Sequence, residues 1–194
     1  IWFETFKRDV VNMHLGLSPY YRGSNTNFWP MYYREPEYVG VTIHIATPDV
    51  DAGEIICQIR PSIKVSDTLY DINMDTIKQG AYAFLHGSIA YHDGRKSISQ
   101  RALYNGDERI CKKRDLTENA VLKVFENFNS GMLLEYINDY DKLTEKVKII
   151  SLIKWFKIFV KLLLINYHYI TPEVYDRGIH PKSPEEFDAD IKRL

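Results

Sequence analysis

An amide, an imidazole and a carboxylate stand in this sequence in a pattern that could do chemistry together. Asn12 and His14 close the short apolar run 10–13, one residue apart, so strand alternation sends both side chains to one face. Asp51 lies in the turn Asp49-Val50-Asp51-Ala52-Gly53, between two β-branched runs. Such a set suits transfer of an acyl group to an amine. Asn12 and a protonated His14 would steady a developing oxyanion, and Asp51 would draw the proton from the attacking amine. Each residue also has a plainer reading. A strand-end histidine is commonly a hydrogen-bonded structural group, and an aspartate before Ala-Gly can simply shape a turn. His44, on the same side of its strand as Thr42, fits either a site or a satisfied core. A metal site from His14, His44 and an aspartate has no tight ligand spacing behind it, so no metal is expected. Spacing alone leaves the function open.

These side chains need elements to hold them. Residues 10–13 read as a buried parallel strand, with ligands expected at its carboxyl end. Residues 17–27, rich in Ser, Pro, Tyr, Gly and Asn, read as a loop able to wrap a ligand. A short helix is expected over 27–33. Residues 39–46 form a strand with Val41, Ile43 and Ile45 on one face, and residues 54–64 return as its hairpin partner. The longest helix of the first half spans 66 to about 90, capped by Ser66 or Asp67, with Leu69, Ile72, Ile77, Ala81, Phe84 and Leu85 as its apolar stripe. Strand or loop follows to Cys111. Thr117 caps a helix towards Phe128, a shorter helix runs from Ser130 to near Asp141, and a long helix is expected over 145–167. Lys154, Lys157 and Lys161 give that last helix a basic face, either solvated on a packed helix or laid on a membrane surface.

The composition bounds the alternatives. The 194 residues are 45% hydrophobic and 26% charged, and 25 basic side chains against 26 acidic ones leave a net charge of −1. This is a folded composition without the excess of positive charge that phosphate backbones demand. Only two cysteines are present, so a reducing, cytoplasmic setting is expected. Lysines interrupt the most apolar stretch, 149–165, and no transmembrane span is expected.

The run Asn12-Met-His14-Leu-Gly16-Leu-Ser18-Pro19-Tyr-Tyr21-Arg22-Gly23-Ser24-Asn25, followed by Gly40-Val-Thr42-Ile-His44 and Asp49-Val50-Asp51-Ala-Gly53-Glu-Ile-Ile56-Cys-Gln58, resembles the signature of the folate-dependent formyltransferase family. That resemblance implies an α/β fold: a Rossmann-like mixed sheet with flanking helices. It makes Asn12, His14 and Asp51 the catalytic set, transferring formyl from 10-formyltetrahydrofolate to a primary amine. His44, Thr47, Asp49 and Val50 are expected beside the folate. Tyr21, Arg22, Gly23, Ser24 and Asn25 are expected at the acceptor, where Arg22 and backbone N–H groups could meet an anion. Two departures stand out. The family's usual Ser-Leu-Leu-Pro is Gly16-Leu-Ser18-Pro19 here, and strands that precede Asn-x-His in the family are missing from the sequence.

The expected organisation is therefore a catalytic core over 1–111, short of its first strands, and a mostly helical extension over 112–194. The tail lacks the basic β-barrel pattern of methionyl-tRNA formyltransferases, which argues against tRNA. It is longer than glycinamide ribonucleotide formyltransferases carry, which favours an amino-sugar nucleotide as the small-molecule acceptor. Homodimerisation is expected through the C-terminal helices. The competing readings are a formyltetrahydrofolate hydrolase and a non-catalytic interaction protein that keeps the half-domain.

Overall fold

A computed structural model describes residues 5, 8–103, 106 and 108–151. The chain divides into two units, 1–152 and 153–194, and every described residue belongs to the first. Its elements are β1 (Val11–His14), β2 (Tyr21–Gly23), α1 (Trp29–Tyr33), β3 (Val41–Ile45), β4 (Ile55–Ile59), α2 (Leu69–His92), β5 (Arg109–Cys111), α3 (Glu118–Asn129), α4 (Met132–Asn138) and α5 (Tyr140–Lys146).

β1, β3 and β4 make one sheet in that order, β3 in the centre, with both pairings antiparallel. The parallel arrangement expected for β1 is thus corrected: among the described residues its partner is β3, in register Asn12↔His44 and His14↔Thr42. The β3–β4 hairpin forms as its β-branched residues predict, although β4 stops at Ile59 rather than continuing to 64. A bulge falls between Ile43 and His44, where Ile43 pairs with Cys57 but His44 with Ile55. The extra residue, Ile56, lets Ile56 and Cys57 both join Val41, Ile43 and Ala83 in one apolar cluster.

That cluster lies under α2, and the helix face that meets it is not the expected stripe. Ile72, Thr76, Gly80, Ala83 and Gly87 are buried, whereas Ile77, Phe84 and Leu85 are exposed. The cause is the closeness of approach. A Cβ on Gly80 would stand 2.9 Å from Val41 Cγ2, and one on Gly87 2.8 Å from Cys57 Sγ, so only small side chains fit between helix and sheet. The helix start is corrected too. Thr68, not Ser66 or Asp67, is the cap, its hydroxyl taking the Asp71 N–H while the Asp71 carboxylate takes the Thr68 N–H at 2.9 Å. This reciprocal pair is a capping box.

A second, larger core joins the start of the chain to its later helices and reaches Ile72 of α2. Leu17, Tyr20, Tyr21, Phe28, Trp29 and Met31 from the first third pack with Ala120, Val124, Met132, Leu133, Tyr136 and Val147. Asn127 Nδ2 donates to the Met31 and Tyr32 carbonyls at 2.8 and 2.9 Å, closing the end of α1. The segment 17–27 is a loop only in part, because β2 within it pairs parallel with β5, Tyr21 opposite Arg109. Thr117 caps α3 as expected, accepting the Ala120 N–H. The helix expected from 145 does not run through 147–151. There the chain is not helical, and its carbonyls are met by other segments: Gln58 N–H donates to the Ile150 carbonyl, Arg60 to that of Val147 and the Tyr20 hydroxyl to that of Lys148. Residues 152–167, with the lysine face, lie outside the described residues. No helix among the described residues is long and apolar enough to cross a membrane.

The tight helix–sheet contact yields a paired test. Gly80→Leu should lower stability by about 1–3 kcal/mol through overpacking against the stiff Val41 side chain. Ala81→Leu, one residue on and exposed, should leave the thermal midpoint nearly unchanged.

Candidate active site

Strand register does the first part of the assembly. Asn12 and His44 are opposite each other across β1 and β3, and Asn12 Nδ2 lies 3.2 Å from His44 Nε2. His44 Nδ1 donates to the Ile45 carbonyl at 2.9 Å, so its Nε2 is the acceptor and Asn12 the donor. His14, two residues along β1, is buried, with Nε2 donating to the Tyr21 carbonyl at 3.0 Å. Gly16 permits this placement: a Cβ there would stand 2.6 Å from His14 Nε2.

Asp51 completes the group from the β3–β4 turn. Its backbone is left-handed, with φ of 48°, a conformation that aspartate tolerates better than most residues. Carboxylate oxygen Oδ2 lies 3.2 Å from His14 Nδ1 and takes the Gly23 N–H at 3.0 Å; Oδ1 lies 3.7 Å from His44 Nε2. The turn is fixed from behind by Gln100, whose side-chain amide donates to the carbonyls of Asp51 and Gly53 at 2.7 and 2.8 Å. Asn12, His14, His44 and Asp51 are thereby one connected group.

Charge in this group is set by burial and by the neighbours. Burial holds the His14 pKa below 6.5, against the pull of the Asp51 carboxylate and the Tyr21 carbonyl. Burial pushes Asp51 up, but the His44 and His14 imidazoles and the Gly23 N–H outweigh it, leaving the carboxyl below 3.8. With Nε2–H donated to Tyr21, the Nδ1 lone pair of neutral His14 faces Oδ2. Oδ1 faces His44 Nε2 at 3.7 Å and has no closer partner among the described residues.

The other expected site residues spread out. Thr47 donates to the Asp49 carbonyl at 3.1 Å, within the same turn, and Asp49 and Val50 are exposed at its tip. Arg22 is ion-paired to Glu108, and its buried Nε has no hydrogen-bond partner among the described residues. Gly23 has φ of 99° and backs onto the Cys111 carbonyl, and Ser24 N–H donates to that carbonyl at 2.9 Å. Exposed Asn25, φ 55°, accepts from the Phe28 N–H. The Tyr21 side chain turns inward and is buried, so the group it offers the site is its carbonyl. Sequence reasoning missed Gln100, Glu35 and Arg109, which reach the site from outside the motif. It also missed Thr42 and Gln58, whose side chains bond each other at 3.0 Å while Gln58 holds the Ser18 carbonyl at 2.7 Å. Alternation had placed Thr42 beside His44, but nothing local announced the Gln58 partner.

Two measurements follow from the electrostatics and the turn. Unfolded His14 protonates near 6.5 and folded His14 at lower pH, so between those values the unfolded chain binds more protons. The stability it contributes is complete above about 6.5 and declines as pH falls below it. Asp51 contributes further down: its part is intact above 3.8 and lost as pH falls through the folded value. Thermal unfolding across pH should show both declines, and His14→Gln should remove the upper one. Gln100→Ala, which leaves two carbonyls unmet, should cost about 1–3 kcal/mol in denaturant unfolding.

Comparison with known proteins agrees with this arrangement. Residues 2–88 match the formyl transferase family. A GDP-perosamine N-formyltransferase from Brucella melitensis is 35% identical over 66 residues, which cover 34% of this chain and 25% of that protein. A methionyl-tRNA formyltransferase from Desulforamulus reducens is 37% identical over 74 residues, 38% of this chain and 23% of that protein. The chain thus spans about a quarter of the curated relatives it matches. Among solved structures, the formyltransferase PseJ from Anoxybacillus kamchatkensis, in complex with UDP-4,6-dideoxy-4-formamido-L-AltNAc and tetrahydrofolate, has a TM-score of 0.51 at 25% identity. That match covers 63% of this chain and 68% of that one. WlaRD, a sugar 3N-formyl transferase in the presence of dTDP and 5-N-formyl-THF, gives a TM-score of 0.51 at 28% identity over 59% of this chain and 41% of that one. Residues 2–88, which hold Asn12, His14, His44 and Asp51, are thus similar to the formyl transferase family, and the solved structures that share this fold are formyltransferases.

Proposed function

We propose that this chain carries the catalytic residues of an N-formyltransferase that moves a formyl group from 10-formyltetrahydrofolate to the primary amine of an amino-sugar nucleotide. The observation that carries the reading is the Asn12–His44–Asp51–His14 group, brought together from two strands and one turn. The sugar N-formyltransferases among the solved structures support the acceptor class, since one is in complex with a UDP-linked formamido sugar and another is in the presence of dTDP. The folates in both complexes support the donor.

The roles follow from the free valences. The amine nitrogen attacks the formyl carbon, and the carbonyl oxygen takes up negative charge. Asn12 is exposed and uses one amide hydrogen on His44, so the other is available to that oxygen. Protonated on Nδ1, His14 places positive charge nearby, which favours the oxyanion. Oδ1 of Asp51 receives the proton that the amine loses as the carbon–nitrogen bond forms. Collapse of the intermediate breaks the bond to N10 of the folate, which leaves with a proton as tetrahydrofolate. The exposed Thr47-to-Val50 turn would lie against the pterin, and Arg22 with the Gly23–Asn25 backbone would face the acceptor.

Formyl transfer should be followed by mass on a panel of dTDP-, UDP- and GDP-linked amino sugars with 10-formyltetrahydrofolate. Transfer to one of them is the expected result, with Asp51→Asn and His14→Ala each lowering kcat by ~100-fold or more. Formate release without acceptor would instead identify a hydrolase. Full turnover in both variants would sink the assignment of the site.

A further inference from the structure

We infer that Tyr21, Glu35 and Arg109 form a positioning lock for His14, which resides outside the reacting group and sets the geometry of its imidazole. The inference rests on the proposed catalytic role of His14 and adds residues to it. Its two ends are chemically continuous. At one end His14 Nε2 donates to the Tyr21 carbonyl at 3.0 Å. At the other, the hydroxyl of the same tyrosine donates to Glu35 Oε2 at 2.6 Å and accepts from Arg109. Arg109 also grips Glu35 with both terminal nitrogens, at 2.6 and 3.1 Å, the bidentate geometry that resists rotation.

Several features show that this is a held arrangement rather than a surface ion pair. The Tyr21 ring is buried and packs edge-on against Tyr38, centroids 5.7 Å apart. The Arg109 guanidinium lies over the Tyr33 ring at 4.2 Å, a contact that fixes the plane of the fork. Arg109 is opposite Tyr21 in the β2–β5 pairing, and its N–H donates to the Tyr20 carbonyl at 2.8 Å. Tyr21 is therefore held by ring, hydroxyl and flanking peptide, and its carbonyl has little freedom to move. A fixed carbonyl keeps the His14 proton on Nε2 and turns Nδ1 to Asp51. Releasing the hydroxyl lets the peptide and the imidazole drift, and small displacements of a reacting group are costly in rate.

The test uses Tyr21→Phe, which removes one oxygen and keeps the ring, with Glu35→Gln as a second variant. Nitrogen-15 spectra of the histidine side chains, with the His14 signals assigned by their loss in His14→Ala, read the tautomer directly. The wild type should show His14 protonated on Nε2 across neutral pH. In Tyr21→Phe the two nitrogens should average towards a mixed tautomer, while kcat for formyl transfer falls roughly tenfold and KM for the acceptor stays within about twofold. Unchanged His14 signals in both variants, with only a lower melting temperature, would overturn the lock and leave the cluster a structural tie. A wild type that transfers no formyl group, yet whose His14 signals shift in Tyr21→Phe, would remove the proposed reaction and leave the lock standing.

Discussion

One carboxylate oxygen ties the site together. Oδ2 of Asp51 meets the His14 imidazole from β1 and the Gly23 N–H from β2, and its own backbone belongs to the β3–β4 turn. Three segments separated in sequence therefore converge on a single atom. A partly buried carboxylate needs such partners to remain charged, and each partner in turn needs its own support. Gln100 holds the turn, Arg109 and Glu35 hold Tyr21, two residues before Gly23, and Gly16 clears the space that the imidazole occupies. Removing any support leaves a charged group whose compensation no longer fits.

The central strand divides the labour between its faces. Val41 and Ile43 point to α2, where Gly80, Ala83 and Gly87 bring the helix close enough to exclude solvent. Thr42 and His44 point to the other side, where Thr42 donates to the Gly16 carbonyl at 2.7 Å and accepts the Ser18 N–H at 2.9 Å. The bulge beside His44 bends the hairpin at the level of the site, as bulges near reactive centres commonly do. The apolar face thus makes a rigid floor, and the polar face anchors the loop that carries Tyr21 to Asn25.

How far the sequence could be read follows from how local each signal is. Alternation over 41–45 placed Thr42 and His44 on one face, and the Asn-x-His spacing placed Asn12 beside His14; the antiparallel register that sets Asn12 opposite His44 was not legible, because residues 10–13 read as a parallel strand. The cap of α3 at Thr117 was legible, as a local signal. The α2 stripe was misread because Ile77, Phe84 and Leu85 looked like the buried side, while the distance to the sheet selected glycine and alanine instead. β2 was invisible because its strand character comes from β5, eighty-eight residues away at the Tyr21–Arg109 pair. Gln100 carries no motif at all; its function exists only once two carbonyls of the turn point at it.

The segment that follows α5 gives the molecule a history as well as a shape. The Tyr20 hydroxyl meets the Lys148 carbonyl across 128 positions of chain, and the Gln58 backbone meets Ile150. Contacts of such long range delay assembly, because chain entropy is lost before they return any gain. On the ribosome, residues Asn12 to Asp51 emerge before the later helices and have nothing from those helices to close their aromatic core until about a hundred further residues have been made. During that interval Tyr20, Phe28 and Trp29 have no partners from the later helices. The nascent chain therefore passes through synthesis with its reactive residues present and its scaffold incomplete, and the site becomes a site only near the end of translation of this unit.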